Sequence, residues 1–268
     1  MNIATLLQGK NLAWSCVVIG THPSIIQSML DFDYLTGHAQ PRIEAIIAGG
    51  RKFERYFFGK QEIAIPVYPT ASALQMARSK KDTVLFVNVT SGRRAYASTL
   101  DLITNLPNVA GGVIFAENMP EQHATDLINI CREKHIWIIG PASVGLLIPG
   151  LLKLGAIAGV DASQLQSARA TARGNVAVFS ASGGMTNELI WNVTKAGHTL
   201  SFALHFGGDR FPIVPPMEAF LAAESDTHTT HIVYYGELGG DDEYELVRLK
   251  KRGQANKANF CFYCRYYF

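Results

Sequence analysis

The stretch "NVAVFSASGGMTNELIWNVTKAG", residues 175–197, decides the fold. "VAVFS" is an apolar run of strand length, and "MTNELIWNVTKAG" carries apolar residues at helical spacing with Gly197 as its stop. "ASGG" is the turn between them. A fully apolar strand feeding a helix through a short glycine turn is the unit of a parallel sheet covered on both faces.

The same alternation recurs along the chain. "LAWSCVVIG", "IEAIIAGG", "EIAIPVY", "TVLFVNV", "GGVIFAE" and "IWIIGP" read as buried strands from about residue 10 to 145. "PSIIQSML", "ASALQMAR", "RAYASTLDLITNL" and "PEQHATDLINICREKH" read as the helices between them. A second series follows: "NVAVFS", the 185–197 helix, "TLSFALHFGG", "PPMEAFLAAE", "HIVYYGELGG" and "DEYELVRLKKRG". The segment 146–172 has glycines and no clear period. The expected organisation is therefore α/β throughout: a Rossmann-like domain over 1–145, a crossing over 146–172, and a second doubly wound domain over 173–268.

Composition narrows the function. In 268 residues, 48% are hydrophobic and 17% charged, the range of soluble globular proteins. A net charge of +2 offers no basic footprint for nucleic acid or acidic lipid. The apolar stretch Ile136–Val160 is long enough to span a bilayer, but five glycines, two prolines and Lys153 interrupt it, so a strand and an irregular crossing are expected instead. The first residues lack a basic region and a long apolar run, so no signal peptide is expected. Cys16 and Cys131 read as buried thiols; Cys261 and Cys264 have metal-ligand spacing without a second pair, and His228 and His231 would point to opposite faces of a strand. No metal site is expected, and a reducing cytoplasmic setting is.

The glycine turns carry the candidate chemistry. A helix N-terminus presents unpaired N–H groups and partial positive charge, so Gly183 and Gly184 either let an anion approach the backbone or simply permit a tight turn, with Ser182 as N-cap. Glu237, in "GELGG", is either a carboxylate at a ligand-binding sheet edge or an acid favoured by the next helix dipole. "FGGDR", 206–210, is a third turn of this kind. In "VTSGRRAY", Ser91, Arg93 and Arg94 just past a strand suit phosphate recognition, or are solvated surface groups. "GTHPSI" after the first strand has no G-x-G-x-x-G, which argues against a nicotinamide dinucleotide.

"MLDFDY", "FFGKQEIAIPVY", "IIGPASVG", "SASGGMTNEL", "GGDRFP" and "YYGELGGDDEY" occur in this order at fitting intervals. Together they resemble the succinyl-CoA-synthetase-α-like region of ATP-citrate lyase, over roughly residues 10–257, and more distantly the α subunit of succinyl-CoA synthetase. The resemblance implies a Rossmann-like CoA-binding domain followed by a flavodoxin-like ligase domain. It implies CoA contacts at Ser91 and Arg93, Arg51 and Lys52 near the CoA phosphates, and Glu117 near the thiol end. Ser182, Gly183 and Gly184 would face a phosphohistidine and a citrate carboxylate, and Glu237 would steady the phosphohistidine ring. The family reaction converts ATP, citrate and CoA to acetyl-CoA and oxaloacetate, with ATP and Mg handled by an ATP-grasp partner chain.

Three departures bear on activity. Ala181 stands where the family's turn carries Arg or Lys, and none of the eight histidines lies in the family's "GHAGA" loop. After "NKA" the resemblance stops at "NFCFYCRYYF", so the ligase domain is expected to be C-terminally incomplete, by frameshift or premature end rather than as a paralogue's own tail. An unfinished sheet edge predicts association with a partner or an oligomer. The chain is thus expected to be a CoA-binding subunit or fragment of ATP-citrate lyase, inactive alone. The alternative is a non-catalytic CoA- or acyl-CoA-binding module that acts through a partner.

Overall fold

The computed structural model describes residues 2–8, 13–79, 82–236 and 242–262. After a short helix α1 (Ile3–Leu7), the first sheet is built from β1 (Trp14–Ile19), β2 (Ile43–Ile47), β3 (Phe53–Phe58), β4 (Gln61–Tyr68), β5 (Thr83–Asn88), β6 (Val109–Ile114) and β7 (Trp137–Ile139). Helices α2 (Pro23–Leu35), α3 (Ala71–Ala77), α4 (Gly92–Asn105) and α5 (Glu121–Lys134) cross over between them. The strand order is β3-β4-β2-β1-β5-β6-β7, parallel except for the β3–β4 hairpin. The order reverses between β1 and β5, so the ligand crevice of such a sheet lies outside their carboxyl ends.

The second sheet contains β8 (Gly145–Ile148), β9 (Leu152–Gly155), β10 (Val176–Ser180), β11 (Leu200–His205), β12 (His231–Tyr235) and β13 (Ala258–Phe262). Its helices are α6 (Ala162–Ser167), α7 (Gly183–Lys195), α8 (Pro216–Ser225) and α9 (Asp242–Lys251). The order is β13-β12-β10-β11-β8-β9: β10 to β13 run parallel, and the β8–β9 hairpin joins antiparallel. This second α/β sheet bears out the expected fold class.

Two segments gain definition. Gly145 and the first ten residues of the 146–172 segment, which shows no clear period, form the β8–β9 hairpin, every residue of both strands buried. With both faces covered there is no polar alternation to see, and Pro149-Gly150 is the turn. Residues 258–262, the end of "NKA" and the start of the tail at which the resemblance stops, form β13, paired in register with β12.

The two sheets share apolar packing. One cluster runs from Val18 in β1 and Ile25 and Met29 in α2 through Leu146 and Leu154 of the hairpin to Phe179, Phe202, Phe220 and Tyr234. Arg42 adds a polar strut, donating from Nη1 to the Leu151 carbonyl at 2.6 Å. Among the described residues no helix is long and apolar enough to cross a membrane.

Candidate functional site at the start of helix α7

A cavity of about 540 Å³ opens at the carboxyl ends of β6, β10 and β11. Its walls come from Glu117 and Asn118, from Ala142 and Val144, from Ala181–Gly184 and Asn187, and from His205, Gly208 and Asp209. Both sheets contribute. The "AENMP", "GPASVG", "SASGG" and "FGGDR" segments, far apart in sequence, meet here.

Hydrogen bonds shape the turn before α7. Ser180 Oγ accepts the Ser182 N–H at 2.9 Å, and the Ser182 carbonyl accepts the Thr186 N–H and Oγ1–H, each at 2.8 Å. Ser182 takes the N-cap position, but its side chain makes no capping bond. Ser180 and Thr186 satisfy the local backbone, leaving the Ser182 hydroxyl uncommitted among the described residues. The first-turn N–H groups of Gly183 and Gly184 have no intrahelical acceptor. A Cβ at Gly184 would meet nothing within 4 Å, so this residue borders open space. A Cβ at Gly183 would stand 2.9 Å from Val144 Cγ1 and 3.4 Å from His205 Cε1.

Charge in the cavity is one-sided. Glu117 and Asp209 line it, and no Lys or Arg does among the described residues. Burial pushes the Asp209 carboxyl above its ordinary range and Glu117 adds to this, while the backbone N–H groups of Met119 and Asn118 oppose it. Asp209 Oδ2 is buried without a hydrogen-bond partner among the described residues. His205 is 2% exposed. Burial lowers its proton affinity, partly offset by its bond to the Ala181 carbonyl.

Ser91 is the N-cap of α4, exposed and without a side-chain capping bond, at the β1–β5 reversal point. A Cβ on Gly92 would collide with the Glu117 carbonyl, so the α4 start abuts the cavity's Glu117 loop. Arg93 is exposed on the same turn. Arg51 lines a separate cavity of about 640 Å³ with Thr21, Pro23, Gly49, Gly50, Glu54, Arg55 and Tyr56. Lys52 is exposed beside it, its carbonyl accepting the Val67 N–H at 2.9 Å. Ser91, Arg93 and Arg51 therefore stand at carboxyl ends of the first sheet, apart from the Ser182–Gly184 cavity that Glu117 joins. Glu237 and Cys264 lie outside the described residues, as does the Cys261 side chain. His205, Asp209, Asn118 and Asn187 had not been singled out; only Asp209, in its glycine turn, carried a sequence signal.

No family model matches the chain. The probable ATP-citrate synthase subunit 1 of Schizosaccharomyces pombe is 34% identical over 242 residues, covering 90% of this chain and 39% of that protein. ATP-citrate synthase beta chain protein 1 of Oryza sativa subsp. japonica is 37% identical over 233 residues, 87% of this chain and 38% of its own length. The structure of ATP citrate lyase from Methanothrix soehngenii in complex with citrate and coenzyme A superimposes with a TM-score of 0.86 at 29% identity, covering 94% of this chain and 41% of that one. PH0766 from Pyrococcus horikoshii OT3, at 16% identity and a TM-score of 0.67, shares the fold. The chain spans about two-fifths of the length of the ATP-citrate synthases it matches, and over that span it is their homologue in sequence and in fold.

Proposed function

We propose that this chain is a CoA-binding subunit or fragment of an ATP-citrate lyase. CoA lies across the first sheet's carboxyl edge, with Arg51 and Lys52 toward its phosphates and Ser91 and Arg93 along its length. Its thiol end reaches Glu117. The Ser182–Gly184 turn receives the anionic end of the acid substrate, with citrate as the expected carboxylate. Glu237 serves the phosphoryl carrier.

The observation that carries this reading is the shared cavity: Glu117, from the sheet with the nucleotide-type reversal point, faces Gly183 and Gly184 of the other sheet. A thiol delivered past Glu117 would arrive beside an acyl group held at the α7 start. Charge-assisted hydrogen bonds from arginine suit CoA phosphates, and helix N-termini suit carboxylates.

Phosphoryl transfer from ATP needs a histidine carrier, and none of the eight histidines of this sequence stands in a "GHAGA" loop. ATP and Mg belong to an ATP-grasp partner, and the chain works in an oligomer. Division into a 1–145 CoA unit and a 173–268 ligase unit fits this role, as does a cytoplasmic setting for the free buried thiols Cys16 and Cys131.

Calorimetric titration with CoA, on the wild type and Arg93→Ala, tests the reading. Micromolar binding weakened by the substitution is expected. A folded chain that takes up no CoA overturns it.

A further inference from the structure

We propose that His205 is the positioning residue of the α7 cavity, its neutral ring holding the anion-binding turn in place. This rests on the cavity being the acid-substrate site.

His205 ends β11 and is buried beneath the turn. Its Nδ1 accepts the Val144 N–H at 2.9 Å, and its Nε2 lies 3.1 Å from the Ala181 carbonyl. These neighbours dictate the tautomer. A backbone N–H needs a lone pair, so Nδ1 is bare; a carbonyl needs a proton, so Nε2 carries it. The residue's own carbonyl accepts from Ser143 Oγ at 2.5 Å, and Ser143 Oγ accepts the Gly145 N–H at 3.0 Å. One side chain thus ties β11, the entry to β8 and the turn before α7.

The ring acts on the site through Ala181. Once that carbonyl is held, the 181–182 peptide plane cannot rotate, and the Ser182 hydroxyl and the Gly183 and Gly184 N–H groups keep their places. The close approach of His205 Cε1 to the vacant Cβ position of Gly183 makes the ring the floor under the first residue of α7. A second proton on Nδ1 would set two N–H donors against each other at Val144 and release the entry to β8. The charged groups sharing the cavity, Glu117 after β6 and Asp209 after β11, touch neither ring nitrogen. α7 itself contributes the neutral Asn187, which accepts the Ala158 N–H at 2.8 Å.

Two substitutions separate positioning from plain structural support, because each keeps one of the two bonds. His205→Gln keeps a donor for the Ala181 carbonyl; His205→Asn keeps an acceptor for the Val144 N–H. Citrate and inorganic phosphate are titrated separately into the full chain while the Gly183 and Gly184 amide resonances are followed. The ring nitrogens of His205 are recorded in the same protein, and urea midpoints are measured for all three forms.

The expected result is a neutral ring protonated at Nε2, with citrate affinity within about threefold of wild type in His205→Gln and weakened roughly tenfold in His205→Asn, the cost of one lost hydrogen bond. Equal affinity in the two variants, whatever their stability, overturns the positioning role, as does a ring protonated at Nδ1. Wild-type Gly183 and Gly184 resonances unmoved by either anion overturn the acid-site reading and this proposal together. The CoA titration is scored independently of both.

Discussion

The Arg42 guanidinium meets the Asp33 carboxylate end to side: Nη2 and Nε donate to Oδ1 at 2.6 and 2.9 Å, and the Arg42 backbone N–H reaches Oδ2 at 2.9 Å. Asp33 is the second acid of "MLDFDY", a motif that carries the family resemblance, and its work here is structural. The same guanidinium lies 3.9 Å above the Trp14 ring and holds the Leu151 carbonyl of the β8–β9 hairpin. Both side chains are largely buried. Removing one member leaves a buried charge unpaired, so Asp33→Ala should cost about 3–5 kcal/mol by urea denaturation. The apolar pair Asp33→Leu with Arg42→Met should cost clearly less. A double variant as unstable as the single one would show that the pair itself, and not the orphaned arginine, sets the loss.

Gly183 and Gly184 should respond in opposite ways to the same methyl group. At Gly184 the new Cβ enters open cavity, and alanine's helix propensity should leave stability unchanged or raise it by up to about 1 kcal/mol. The same methyl intrudes on the anion's approach, so citrate binding should fall roughly tenfold, about one hydrogen bond's worth. At Gly183 the methyl presses on Val144, and stability should drop by about 1 kcal/mol. Thermal melts and citrate titrations on both variants check this. A Gly184→Ala chain that binds citrate as well as wild type would remove this glycine from the site.

The sheet-forming strands were legible because buried parallel strands are apolar from end to end and their crossover helices are not. Strand β4 is legible as "EIAIPVY", but its partner β3 and the β8–β9 hairpin are hidden for opposite reasons. In β3 the run "FERYFF" mixes exposed aromatics and charges, with Phe53 and Phe57 both half exposed, so its faces blur. In β8–β9 every residue is buried, so no contrast exists. At the site, Gly183 and Gly184 announced themselves through what they lack. His205 did not, because it closes a strand whose six residues are all buried and reads as core. The bond from the Asn118 and Met119 backbone to Asp209 joins segments some ninety residues apart, which only the fold can bring together.

Asp209 should make stability depend on pH in a definite direction. Its carboxyl titrates above the ordinary 3.8, chiefly through burial. An acid whose folded pKa is raised favours folding below its unfolded pKa, and that contribution is lost as pH rises through the folded value. Asp209→Asn keeps an oxygen for the Asn118 and Met119 N–H groups and removes the charge beside Glu117. The two proteins should be equally stable near pH 3.5, and the variant should be the more stable at pH 7. Urea midpoints across this range check it, other carboxylates cancelling in the difference. A variant that is less stable at pH 7 would show that Asp209 is held ionised at a net gain.

Lys153 should act in the alkaline range. It is 2% exposed on β9, its Nζ donating to the Gly155 carbonyl at 2.6 Å. Burial pulls its pKa down from 10.5 to about 7, with Asp31 pulling the other way. Between those values the unfolded chain holds a proton that the folded chain has released, so stability rises with pH. Each pH unit in this window corresponds to about 1.4 kcal/mol, so moving from pH 7 to 8.5 should stabilise the wild type by roughly 2 kcal/mol. Lys153→Met, which keeps the stem and drops the amine, should show no such rise and should be the more stable protein at pH 6.5. Denaturant midpoints of both proteins at pH 6.5, 7.5 and 8.5 make the comparison. Parallel curves would mean that the ammonium stays charged inside the fold, paired more strongly with Asp31 than the burial of its strand permits.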